Sequence, residues 1–160
     1  MSRITLLLTL IMLLISSITD FKYRKVFNEI TFSAMILGLL FNGFPLSACS
    51  YYRLLWMLIF FFIGSLGIMG MGDLKLCMAV IAMRGIEEAS MMLLFGIFFL
   101  FLYCLFDDRK NTLFMIKDTY NTIFYHTPVI KRSEKKYPFA VFLSFGYIAG
   151  VLVRWCLIFA

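Results

Sequence analysis

The stretch Met69-Gly70-Met71-Gly72-Asp73-Leu74-Lys75-Leu76 decides how this chain is interpreted, because it sets a carboxylate between two apolar segments. Leu54–Met69 runs up to it, and Leu76–Met83 follows it. An ionised carboxylate costs about 2.5–3.5 kcal/mol at mid-bilayer on insertion scales, so such a residue marks an interface or a polar cavity and is a candidate functional site. The two glycines let the backbone turn sharply and approach another segment closely.

A second carboxylate, Asp20, occupies a similar place directly after the apolar run Ile4–Ile18. We expect Asp20 and Asp73 to meet and to cleave a peptide bond, while the rest of the chain holds them at the membrane surface. Two alternatives stay open at this point. Asp20 alone fits a snorkelling residue at a helix end and Asp73 a helix N-cap, and the pair also fits a polar transport pathway.

The composition predicts an all-α integral membrane protein. Of the 160 residues, 62% are hydrophobic and 15% are charged, and the mean hydropathy is +0.93. Because one spanning helix needs about 20 apolar residues, the length allows about six transmembrane helices and no separate soluble domain. We therefore treat residues 1–160 as a single transmembrane domain. The four cysteines form no CxxC pair and His126 lies in a polar segment, so we expect no metal site and no cofactor.

Six apolar segments alternate with polar links along the chain. The predicted spans are Ile4–Ile18, Ile30–Phe44, Leu54–Met69, Leu76–Met83, Ser90–Phe106 and Pro138–Phe159. The fourth is short for a span, and we expect it to begin inside the preceding loop, Gly70–Lys75. Arg84–Glu88 is predicted as a charged turn, and Asp107–Tyr137 as a polar loop of about thirty residues. Pro138 stands at a tolerated helix start.

The distribution of Lys and Arg predicts the orientation. Alternating spans place eleven of these residues on one face and four (Arg3, Arg53, Arg84 and Arg154) on the other. The positive-inside rule makes the first face cytoplasmic, with the N-terminus outside. Asp20 and Asp73 then share the cytoplasmic side. The net charge of +6 is explained by this topology, so we expect the lipid bilayer and no nucleic acid as a partner.

Two carboxyl groups that share a site cannot easily both ionise, so the pair can hold one proton near neutral pH. The ionised member draws a proton from water, and the protonated member donates to the carbonyl or to the leaving amine. This chemistry cleaves a peptide bond without a metal or a covalent intermediate. Because the pair titrates as a unit, neither aspartate is assigned as fixed acid or base.

At this point the sequence resembles the type IV prepilin peptidases and the related archaeal preflagellin peptidases, which are intramembrane aspartic proteases of the GxGD type. The GxGD element is Gly70-Met71-Gly72-Asp73, followed by the family's usual lysine at Lys75. Asp20 and Asn28 have the spacing of the family's first catalytic region, with basic residues between them. Further matches are the segment Thr31–Asn42, Gly85, Tyr137-Pro138-Phe139 and Gly146.

The resemblance implies an endopeptidase that removes the short basic leader of prepilin-like proteins at the cytoplasmic face of a bacterial inner membrane. Asp20 and Asp73 would be the catalytic pair, and Gly70 and Gly72 would leave room for an extended substrate. Lys75 would orient Asp73 or bias its charge. Asn28 would cap the second helix. Acids of the 107–137 loop (Asp107, Asp108, Asp118 and Glu134), or Glu29, are candidates to meet the basic leader by charge complementarity.

The sequence also departs from the family pattern. Phe27 and Val141 stand where the family usually has proline, and Ile81 replaces a common glycine. Many bacterial members carry an N-terminal region with paired CxxC motifs that is linked to N-methylation. The present sequence resembles the short, peptidase-only form, so we expect cleavage without methyl transfer. The rival interpretations are a non-catalytic membrane component of a pilus or secretion machine, a small transporter, and a general signal-peptide peptidase. The oligomeric state is left open.

Overall fold

The computed structural model describes residues 3–43, 48–65, 70–107 and 138–159, and every regular element in these ranges is an α-helix. The helices run in the order α1 (Arg3–Tyr23), α2 (Asn28–Phe41), α3 (Ala48–Ser65), α4 (Met71–Arg84), α5 (Ile86–Asp107) and α6 (Phe139–Phe159). The predicted all-helical class is therefore confirmed for the described part of the chain. The predicted polar loop Asp107–Tyr137, with His126, lies outside these ranges except for its first residue, Asp107, which ends α5.

Four helices (α1, α3, α5 and α6) are long and apolar enough to cross a membrane. At most a third of each apolar window is buried inside the bundle, so these helices present most of their apolar side chains outward, where lipid would cover them. The shorter α2 is apolar but has only 14 residues. Six spans and their orientation thus stay predictions.

The centre of the bundle is α4, which packs against α1, α2, α3 and α5 and also touches α6. Ten of its fourteen residues are buried. At about 1.5 Å of rise per residue it is about 21 Å long, shorter than the hydrocarbon core of about 30 Å. Helices α2 and α4 approach each other closely at Gly38 of α2, where an added Cβ would lie 2.7 Å from the backbone of Ala82 and Met83. The absence of a side chain there allows α2 to lie directly on α4.

The helices alternate in direction, so the bundle has two ends that differ in chemistry. The site end holds the last turns of α1, α3 and α5 and the first turns of α2, α4 and α6, as shown by Lys75 bonding to Asn28 and Ala140 bonding to Asp20. The far end holds the opposite termini, as shown by Arg84 bonding to Thr5. Both candidate aspartates lie at the site end.

The structure corrects three predicted boundaries. The loop predicted over Gly70–Lys75 is wrong from Met71 onward, because α4 begins there; the expectation that the fourth apolar segment begins inside that loop is confirmed. The charged turn Arg84–Glu88 reduces to Gly85 alone, whose φ of +100° favours glycine. The third helix begins at Ala48, six residues earlier than predicted.

Candidate active site

Asp20 lies in the last turn of α1, where α6 approaches it. Its Oδ2 accepts a hydrogen bond from the backbone N–H of Ala140 at 3.1 Å. Ala140 is in the first turn of α6, where backbone N–H groups have no partner inside the helix and attract negative charge. The Ser17 hydroxyl lies one turn earlier, 3.3 Å from the Ala140 carbonyl oxygen. Helix α6 therefore fixes one oxygen of the Asp20 carboxylate.

Helix α1 ends at Tyr23, and the chain turns at Arg24, one helical turn after Asp20. Arg24 adopts a left-handed conformation with φ 54°, and its N–H donates to the Asp20 carbonyl oxygen at 2.8 Å. Phe27 precedes α2 with φ −71° and ψ 129°. These angles are the ones that proline itself would adopt. Phe27 therefore keeps a backbone conformation that proline would also allow.

Asp73 lies in the first turn of α4, ahead of its apolar part and outside the four long candidate spans. Gly70, not Asp73, is the N-cap residue, and its carbonyl oxygen accepts the N–H of Asp73 at 3.1 Å. The N-cap alternative for Asp73 is thus wrong. An added Cβ at Gly70 would lie 2.9 Å from Asp73 Oδ2, so the glycine leaves space that this carboxylate occupies.

The second glycine of the element plays a packing role in the structure. Gly72 lies inside the first turn of α4, and an added Cβ would be 3.4 Å from Val26 in the α1–α2 connection. This distance is ordinary van der Waals contact. Gly72 therefore brings the start of α4 against the connection that follows Asp20.

The two carboxyl groups influence each other electrostatically. Burial, and next the negative charge of Asp20, raise the pKa of Asp73 from 3.8 to about 6. Both causes act in the same direction, because a low-dielectric surrounding and a nearby like charge each disfavour the ionised form. The two aspartates that the sequence singled out thus lie at the same end of the bundle, where the charge of Asp20 contributes to the raised pKa of Asp73.

Lys75 and Asn28 contact each other at the site end. Lys75 Nζ donates to Asn28 Oδ1 at 2.7 Å and lies 5.8 Å from the centre of the Phe32 ring. Among the described residues no ion pair joins Lys75 to Asp73. The α2 N-cap is Phe27, without a side-chain capping bond, so the predicted capping by Asn28 is wrong. The pair instead links the start of α4 to the start of α2.

The remaining predicted site residues are only partly described. Glu29 is exposed in the first turn of α2, and Asp107 ends α5. Asp108, Asp118 and Glu134 lie outside the described residues. Within the described ranges, no three His, Cys, Asp or Glu side chains lie together in a way that could hold a metal ion.

Sequence reasoning missed a buried polar cluster at the far end. Arg84 and Glu88 form a two-pronged ion pair, with Nε–Oε2 at 2.7 Å and Nη2–Oε1 at 2.8 Å. The Tyr147 hydroxyl donates to Glu88 at 3.0 Å, and Arg154 donates to it at 3.1 Å. The available signal was the pair of opposite charges at Arg84 and Glu88, four residues apart on either side of Gly85. Their interpretation as a charged turn concealed this cluster.

Comparison with known proteins now adds to the geometry. A model of the type IV leader peptidase family matches residues 7–105, which is more than half of the chain. The chain belongs to the type IV leader peptidase family. This result confirms the resemblance stated on the GxGD element. The matched range of this leader peptidase contains Asp20 and Asp73 but ends before α6, so the backbone N–H that binds Asp20 comes from outside it. Neither the curated proteins nor the solved structures compared with the chain include a match.

Proposed function

We propose that this leader peptidase is a membrane-embedded aspartic endopeptidase that removes the short basic leader of type IV prepilin-like proteins, with Asp20 and Asp73 as its catalytic pair. One observation carries the proposal. Two carboxyl groups from helices far apart in sequence lie at the same end of the bundle, and burial together with the Asp20 charge raises the pKa of Asp73 to about 6. Strongly shifted pKa values are typical of functional sites, and we do not expect one in an aspartate pair with a purely structural role.

In the proposed mechanism the pair carries one proton. The ionised carboxylate takes a proton from a water molecule as that water attacks the scissile carbonyl carbon, and the protonated carboxyl donates to the carbonyl oxygen. The second step returns a proton to the leaving amine. The bond from Ala140 N–H holds one oxygen, Oδ2, of Asp20. The two groups titrate together, and the proton belongs to the pair.

The charge pattern supports a cytoplasmic position for this site. Lys22, Arg24, Lys25 and Lys75 belong to the site end, whereas Arg53, Arg84 and Arg154 contact groups of the far end. By the positive-inside rule the site end faces the cytoplasm of a bacterial inner membrane. A prepilin-like substrate would keep its apolar helix in the bilayer and present its leader junction at this depth. Exposed Glu29 and Asp107, both at the site end, are the described acidic side chains proposed to attract the basic leader.

Co-expression with a panel of prepilin-like substrates, followed by the mass of the product, tests the proposal. The variants are Asp20→Asn and Asp73→Asn, each with membrane insertion verified, and the matched control is Glu87→Gln, an exposed carboxylate at the far end. We expect wild type and the control to remove the leader, and both aspartate variants to leave it attached. Cleavage by either aspartate variant at the wild-type rate would show that the substituted carboxylate is not catalytic.

A further inference from the structure

A crevice of about 140 Å³ opens between α5 and α6 at the far end of the bundle. It is separate from the aspartate pair, and the proposed cleavage does not use it. Its lining combines charged, aromatic and apolar side chains and one glycine: Glu87, Glu88, Met91, Tyr147, Gly150, Val151, Val153 and Arg154. The volume is well below the roughly 300–1,000 Å³ of ordinary small-molecule sites, so only a small group fits into it.

The carboxylate at the floor of the crevice already has its hydrogen-bond partners within the protein. Glu88 is buried and accepts hydrogen bonds from Arg84, Tyr147 and Arg154. A carboxylate with its oxygens so occupied does not need a further cation. The groups available to a ligand are therefore at the mouth.

The mouth carries one positive and one negative group side by side. Arg154 Nη2 lies 3.5 Å from Glu87 Oε2, and the two side chains are 41% and 80% exposed. Arg154 directs its Nη1 to Glu88, and a guanidinium has five N–H donors in all. Donors thus remain for an anionic oxygen, and the Glu87 carboxylate remains for a cationic donor.

The charges of the cluster favour a zwitterion over a simple ion. The charges of Arg84 and Arg154 balance those of Glu87 and Glu88, so the neighbourhood attracts neither an anion nor a cation over long range. A ligand with both charges close together is complementary to the exposed pair. The adjoining walls are apolar, formed by Met91, Val151 and Val153.

The position of the crevice matches the surface of a bilayer. Both helices that form it are among the long candidate spans. Trp155, next to Arg154, is 59% exposed, and tryptophan is enriched at the membrane–water interface. Phospholipid headgroups occupy this depth.

We propose that the crevice binds the headgroup of phosphatidylethanolamine, with the phosphate on Arg154 and the primary ammonium on Glu87. The start of one acyl chain lies along the apolar wall of α5 and α6. The ammonium carries N–H donors for Glu87. The trimethylammonium of phosphatidylcholine has none, and phosphatidylglycerol has no cation at all. The site thus distinguishes three lipids that share the same phosphate.

Native mass spectrometry of the purified full chain, titrated with the three lipids carrying identical acyl chains, tests this site. We expect wild type to retain phosphatidylethanolamine several-fold more than the other two. Glu87→Gln is expected to reduce retention of phosphatidylethanolamine to the level of phosphatidylcholine, and Arg154→Gln to reduce retention of all three. The matched control, Lys25→Gln, changes an exposed residue at the site end, away from the crevice, and should behave as wild type.

Three outcomes overturn the proposal: equal retention of phosphatidylethanolamine and phosphatidylcholine by wild type, a preference that survives Glu87→Gln, or the tightest retention for phosphatidylglycerol. Because the Glu87 side chain is 80% exposed, its substitution leaves the bundle intact and keeps the test decisive even if Arg154→Gln fails to fold. Arg154→Lys provides the second probe. It keeps the charge and loses the two-pronged geometry, so its phospholipid retention should fall between wild type and Arg154→Gln.

Discussion

Replacing Glu88 with Gln removes the charge at the centre of the far-end cluster while keeping the side chain's size. Arg84, 8% exposed, then loses its ion pair with the Glu88 carboxylate, and the N–H donors of the new amide face the N–H donors of the guanidinium. Removing one member of a buried ion pair costs about 3–5 kcal/mol. At about 2–4 °C per kcal/mol for chains of 150–250 residues, the melting temperature should fall by roughly 6–20 °C.

Thermal unfolding of the purified chain in detergent, followed by tryptophan fluorescence, measures this change. The neighbouring Glu87→Gln is the matched control, and its exposed site predicts a change within about 0.5 kcal/mol. A third variant, Arg84→Met combined with Glu88→Gln, removes both charges and should recover part of the loss. A melting temperature for Glu88→Gln equal to that of Glu87→Gln, or additive losses in the double variant, would refute the reasoning.

Four further outcomes concern the site end and the helix contacts. Cleavage should decline as the pH rises through about 6, where Asp73 loses its proton; a pH–rate profile flat from 5 to 8 would contradict this. Because the folded-state pKa of Asp73 lies above the unfolded value of 3.8, its ionisation weakens folding as the pH rises, so Asp73→Asn should raise the melting temperature at pH 8 and leave it unchanged at pH 3.5. Gly70→Ala places a methyl group 2.9 Å from Asp73 Oδ2. It should lower kcat by roughly 10–100-fold and leave the melting temperature unchanged. An unchanged kcat would count against the placement of this carboxylate. Gly146→Ala would bring a methyl group within 2.5 Å of the Gly96 backbone. It should lower the free energy of unfolding by about 1–3 kcal/mol in the same unfolding assay. An unchanged free energy of unfolding would mean that α5 and α6 can separate freely.

The sequence was sufficient to single out both aspartates, because an ionisable residue beside a membrane-length apolar segment is a functional-site candidate by default. It was insufficient for the glycine element. Glycines at Gly70 and Gly72 predict a turn, but only Gly70 lies outside the helix; Gly72 lies in the first turn of α4, beside Val26. Local propensity cannot reveal such a tertiary contact.

The partners of the site residues could not be predicted for a related reason. Asp20 is bound by a backbone N–H from Ala140, 120 residues later in the chain, and a backbone donor leaves no trace in residue type. Likewise Asn42 ends α2 like a turn residue, yet its side chain also donates to the carbonyl oxygens of Ala82 and Met83. Long-range polar contacts of this kind depend on how the helices pack.

The short length of α4 and its packing against the surrounding helices set the order in which the helices assemble. A helix of 14 residues is too short to rest alone across a bilayer, so it needs a prior surface made by α1, α2 and α3, which leave the ribosome before it. The backbone donor to Asp20 belongs to α6, the last described helix to be synthesised. The residues between Asp73 and Ala140 are therefore synthesised while both aspartates are present and the Ala140 donor is not, and the proposed peptidase gains its geometry only when α6 docks.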